Sequence, residues 1–109
     1  MKAEQFNKIV MERINKITTI LETKGSEYTT KEDRLHNFKI AGVIQNIIPE
    51  KALIGMFTKH LVSILDMVED LLRGKQYSLP KWDEKIGDAI NYLILLEGLI
   101  IERRTEGEK

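Results

Sequence analysis

Apolar positions recur along the chain at spacings of three and four, and four segments carry that helical period. In the first, about residues 3 to 23, Phe6, Ile9, Val10, Ile17, Ile20 and Leu21 fall within a sector of about 120° at 100° per residue. Gly25 then offers a C-cap, and GSEYTT reads as a turn. A shorter second helix is expected to begin at Thr30 or Lys31, where Thr30 with Asp33 resembles a capping box, and to reach about Ile47. Pro49 blocks continuation from Ile48 and opens the third helix, which runs to Arg73 and stops at Gly74. Pro80 or Asp83 starts the fourth, which reaches roughly Arg104 before a polar tail from about residue 105.

Nothing alternates as a half-buried strand does, and the connections are short. The sequence therefore predicts an all-α four-helix bundle in a single domain spanning residues 1–109. The fourth helix is apolar over most of its circumference through Ile86, Ile90, Leu93, Ile94, Leu96, Leu99 and Ile100. That breadth exceeds what amphipathic neighbours need, so the last helix is expected at an oligomer interface and the protein as a homo-oligomer, at least a dimer.

Composition narrows the partners. The 109 residues hold 17 Lys+Arg against 17 Asp+Glu, and this neutral balance removes the broad cationic field that duplex nucleic acid and anionic membranes attract. Without cysteine there is no disulfide framework, thiol nucleophile or Cys-type zinc site. A charged N-terminus without a continuous apolar core gives no signal peptide, and no apolar run reaches the roughly 20 residues of a membrane span. A soluble, cytoplasmic protein is the expectation.

Candidate chemistry sits on three stretches. On the third helix Leu61, Ile64, Leu65, Val68, Leu71 and Leu72 form an apolar stripe, while Lys59, Ser63, Asp66 and Asp70 lie on the opposite side. On the fourth, Glu84, Asp88 and Asn91 share one narrow face of a helix that is otherwise mostly buried. A buried carboxylate needs a cation, a metal or donors. These faces are read either as an internal salt bridge, with Lys59 or Lys85 as the cation, or as the lining of a common polar cleft. The third stretch, KGSEYTTKEDRLHNFK, mixes Lys24, Tyr28, Arg34, His36, Asn37 and Phe38, a set suited to phosphate, base stacking and amide recognition. Phe38 has core packing as its plain alternative, His36 the surface, and Trp82 a staple at the entry to the last helix. His60 borders the apolar stripe. It is first a boundary residue and second an acid–base candidate.

The segments KGSEYTTKEDRLHNFK, KHLVSILDMVED and WDEKIGDAINYLILLEGLIIER together resemble phage-encoded small helical proteins of the nucleotide-modification-associated type, themselves similar to the MazG class of all-α nucleotide pyrophosphohydrolases. The resemblance covers about residues 20 to 104. It rests on the spacing of Lys24, Tyr28, Asn37 and Phe38 and on the run Asp88, Asn91, Tyr92. It implies helices that oligomerise around a nucleotide cleft, where an ExxE pair on one helix and an ExxD pair on the next hold magnesium. Asp88 matches the last acid of that set. Lys85 stands in the place of its Glu, Asp66 and Glu69 form DxxE, and Glu84 is the nearest substitute acid. An ammonium at a ligand position repels magnesium and suits a phosphate, so the departure favours binding over turnover.

The leading expectation is a phage-type protein of a bacterial host's cytoplasm, acting against host defence by sequestering a nucleotide or a nucleotide-derived signal, cyclic forms included, without a cofactor. Lys24, Arg34, Lys59 and Lys85 would meet phosphates, Tyr28, Phe38 or Trp82 would stack, and Asp66, Asp88 and Asn91 would read hydroxyl or amine groups, with Asn37 and Ser63 also in the ligand site. The alternatives are a magnesium-dependent nucleoside triphosphate pyrophosphohydrolase, with Asp66, Glu69, Glu84 and Asp88 as catalytic metal ligands, and a helical protein-interaction module.

Overall fold

The structure, a computed structural model, describes the backbone of residues 1–28 and 33–107 and the side chains of residues 1–23 and 33–106. Its four helices are α1 (Ala3–Tyr28), α2 (His36–Gln45), α3 (Pro49–Leu72) and α4 (Leu79–Gly107). The all-helical reading holds, and the helices pack as α3 on α4, α2 on α3 and α1 on α4.

Boundaries moved where local signals competed with length. Gly25 does not end α1, which continues to Tyr28. A single helical glycine costs only about 1 kcal/mol relative to alanine, too little to stop a helix with other support. The second helix starts at His36, five or six residues later than expected, and Thr30 lies outside the described residues. Asp33 instead organises a turn ahead of it: its carboxylate accepts from the Leu35 amide at 2.9 Å.

Two Schellman-type closures then punctuate the chain. At the end of α2, Asn46 takes a left-handed conformation (φ 57°) and the Ile47 amide reaches back to the Gly42 carbonyl at 2.9 Å. At the end of α3, Gly74 does the same (φ 79°), with Lys75 donating to the Asp70 carbonyl at 3.0 Å. Pro49 opens α3 as the sequence implied. Ser78 starts α4 through its hydroxyl, which accepts from the Lys81 amide at 3.3 Å, so that helix begins a little earlier than Pro80 and extends past Arg104 to Gly107.

Between α2 and α3 the axis turns by 98°. Gly42 permits that turn, because a Cβ there would lie 2.7 Å from the Ile47 carbonyl oxygen and 3.2 Å from the Pro49 nitrogen. Beyond the elbow, Ala52, Leu53, Phe57 and Met67 of α3 and Leu99 of α4 are the buried apolar side chains. This core is small. Among the described residues no single helix is long and apolar enough to cross a membrane.

The apolar stripe read along α3 is centred to one side of the face that becomes core. Burial follows Leu53, Phe57, His60 and Met67, which at 100° per residue lie within about 80° of one another. Ile64 falls within that sector and is half-buried, Leu71 falls within it near the helix end and is exposed, and Leu61, Leu65, Val68 and Leu72 stay exposed on its flank.

Ion pairs do much of the joining. Arg103 holds the buried Glu50 with both arms of its guanidinium, one bond measuring 2.8 Å, and so ties α4 to the start of α3. Lys39 lies between Asp33 and Glu102, linking α2 to α4. Arg13 and Lys16 of α1 converge on the Asp83 carboxylate of α4 at 2.6 and 3.1 Å. Arg13 also lies against Gly87, where a Cβ would approach its guanidinium to 2.7 Å.

Candidate functional site

Positions 87, 88, 91 and 92 of α4 set the site. Gly87 and Asp83 meet α1 through Arg13. Asp88 and Tyr92 meet α3: the Asp88 carboxylate stands 3.8 Å from His60 Nδ1, and the Tyr92 ring lies 5.0 Å from the His60 ring and 5.6 Å from that of Phe57. By helical geometry Asn91 points between those two directions, about 40° from Gly87 and 60° from Asp88. It occupies the sector of α4 between the α1 contact and the α3 contact.

Asn91 is 8% exposed, and its Oδ1 has no hydrogen-bond partner. His60 Nδ1 is buried and likewise unpartnered. Such atoms are uncommon in folded proteins, because desolvating an acceptor without replacing its water costs roughly 1–3 kcal/mol. Here two occur, one of them, His60 Nδ1, beside the half-buried Asp88 carboxylate. Burial, reinforced by the Asp88 charge, pushes the Tyr92 phenol above its ordinary range and keeps it neutral near pH 7. The seam thus buries one amide acceptor, Asn91 Oδ1, and sets the His60 imidazole against the Asp88 carboxylate. A hydroxyl or amine donor is the kind of group that would complete Asn91 Oδ1.

His60 was under-read in the sequence. Its spacing from Leu53, Phe57 and Met67 placed it on the α4-facing side, but the more apolar Leu61/Leu65/Val68 row outweighed that signal. His60, and neither Lys59 nor Lys85, is the basic group recorded against Asp88 among the described residues.

The other anticipated residues divide. Lys59, Asp66 and Glu84 are exposed, Ser63 and Lys85 half-buried. Glu69 is exposed and lies nearly opposite the α4-facing side of α3. Of the four acids of the magnesium reading, Asp66, Glu69 and Glu84 are exposed and Asp88 is half-buried. Among the described residues no group of three or more His, Asp or Glu side chains is placed to share a metal ion. Asp70 belongs to a separate arrangement, accepting from the Tyr77 hydroxyl at 2.5 Å while Tyr77 packs edge-on against Trp82 at 6.3 Å. Trp82 thus helps fasten the α3–α4 connection, in keeping with its role at the helix entry.

Around the second helix, the side chains of Lys24 and Tyr28 lie outside the described residues. Arg34 donates to the Leu21 carbonyl of α1. Phe38 and His36 are half-buried and Asn37 is exposed. At the opposite end of α4 a cavity of about 180 Å³ is lined by Lys39, Glu50, Glu102 and Arg103, with Glu106 at its margin, and its cations are engaged by the ion pairs already described. The chain matches no family model, no curated protein and no solved structure.

Proposed function

We propose that this chain binds a nucleotide or nucleotide-derived signalling molecule, as a homo-oligomer, and holds it intact at the α3–α4 seam. The observation that carries the reading is the buried, unpartnered Oδ1 of Asn91, one helical turn from Asp88, whose carboxylate faces His60. A ribose hydroxyl or a base amine would supply the donor that oxygen lacks. Tyr92 offers a half-buried ring beside His60. Lys59 and Lys85, on the same two helices, have no recorded ion-pair partner among the described residues and are assigned to the phosphates.

Support for sequestration over cleavage comes from the acids. Asp88 faces His60 while Asp66, Glu69 and Glu84 are exposed, and the resemblance to MazG-class enzymes is already broken at Lys85. The phage origin, the anti-defence role and the MazG-like identity rest on that sequence resemblance.

The reading is tested by thermal-shift and calorimetric titration of mononucleotides, nucleoside triphosphates and cyclic dinucleotides, each with magnesium and with chelator. At least one compound should bind in the presence of chelator, and Asp88→Asn should weaken it at least tenfold. Sustained release of pyrophosphate that needs magnesium and is lost in Asp88→Ala would establish the enzyme instead. A flat response to every compound would leave protein interaction as the remaining reading.

A further inference from the structure

The exposed row on α3 has the spacing of a coiled-coil seam. Ile54, Thr58, Leu61, Leu65, Val68 and Leu72 follow intervals of four, three, four, three and four. Its five apolar members are each 42–82% exposed, although they lie on a helix of 24 residues whose other side is packed on α4. Such a row covers about 27 Å of helix. Only Glu69 and Lys51 border it as charges on its open flank, where Val62, itself half-exposed, widens the apolar surface.

The whole-chain surface is large enough to leave room for a second copy. A compact monomer of 12.6 kDa would expose about 6,200 Å². This chain exposes 8373 Å². The excess, about 2,200 Å² per chain, is the scale that a large obligate dimer removes from each partner. A second copy is the occupant that brings an identical heptad row to meet this one, and identical rows related by a two-fold axis are self-complementary.

We infer that two copies of this chain associate through α3, with the Ile54–Leu61–Leu65–Val68–Leu72 row of one packed into the same row of the other. This inference rests on the oligomeric reading above but relocates the principal contact from the last helix to α3. It is independent of the nucleotide. The partner's α3 closes the outer side of the helix that carries His60 and Lys59, and so stiffens one wall of the seam.

Light scattering at micromolar concentration should give about twice the chain mass for the wild type and the single-chain mass for Leu65→Glu, with the helical far-ultraviolet signal retained. A monomeric wild type, or a Leu65→Glu variant that stays dimeric, overturns the inference. If the charged variant does not fold, Leu65→Cys supplies the single thiol of a chain that has no cysteine. A short bismaleimide should then link two chains in high yield, and failure to link a folded variant overturns the inference equally. Loss of nucleotide binding with the dimer intact would count against the nucleotide reading and leave the interface standing.

Discussion

Asn91 is buried with a side-chain oxygen that has no hydrogen-bond partner. An acceptor buried without a partner is a cost the unliganded protein carries, and a ligand donor would offset it. Replacing it with an apolar side chain of similar volume removes the cost and the recognition together. Asn91→Leu is therefore expected to raise the stability of the unliganded protein by about 1–2 kcal/mol in urea unfolding while abolishing nucleotide binding. A destabilised variant that still binds would mean that Asn91 is held by contacts of its own. Leu53, fully buried, gives the ordinary contrast: Leu53→Ala should cost about 2–5 kcal/mol in the same measurement. The shared face of Asp88 and Asn91 could be read from their three-residue spacing. Their partner could not, because which side of α3 turns inward depends on how α4 packs against it.

Elements were legible where backbone chemistry decides and less so where packing does. Pro49 and Gly74 marked their boundaries because a missing amide and a left-handed turn are local requirements. Gly25 was misleading for the converse reason, since the continuation of α1 is not a local matter. Gly42 shows a constraint the sequence hid. Its Gly42→Ala variant pushes a Cβ into the Ile47 carbonyl and the start of α3, so the 98° elbow must open; about 1–3 kcal/mol of destabilisation is expected in urea unfolding.

The helices are also joined by carboxylates, which makes their docking pH-sensitive. Hydrogen bonding from Lys39 holds the Asp33 carboxyl below its ordinary range, Arg103 does so for Glu50, and Lys16 with Arg13 for Asp83. A depressed folded-state pKa contributes stability that is fully present above the unfolded value and disappears as the pH falls through the folded one. Urea midpoints should therefore hold near neutrality and decline below about pH 4. Asp83→Asn should flatten part of that decline. Because Asp83 is partly exposed, the substitution should cost no more than about 1 kcal/mol at pH 7. Hydrogen exchange should locate the loss in α1, with α2 to α4 protected as before. Equal loosening of all four helices would show that the Arg13–Asp83 contact does not act locally.

The whole molecule is more open than its length requires. A radius of gyration of 16.6 Å compares with about 13 Å for a compact domain of this size, and Phe6, Ile9, Leu65 and Leu93 remain exposed on three different helices. The breadth of α4 led the sequence reading to an oligomer, and α3 carries the better-defined exposed row on which the proposed dimer rests. The neutral net charge likewise conceals a division: paired ions fasten the helices, while Asn91 Oδ1 is buried between them without a partner. The central claim is that the α3–α4 seam holds a nucleotide without cutting it. The most direct measurement is to saturate the protein with the compound that binds in chelator, isolate the complex, add magnesium, incubate, denature, and weigh the released ligand by mass spectrometry. The account predicts that the ligand is recovered at its original mass in stoichiometric amount from the wild type and is absent from Asn91→Leu. Recovery of a nucleoside monophosphate with pyrophosphate from a triphosphate, or undiminished ligand in the Asn91→Leu complex, would contradict it.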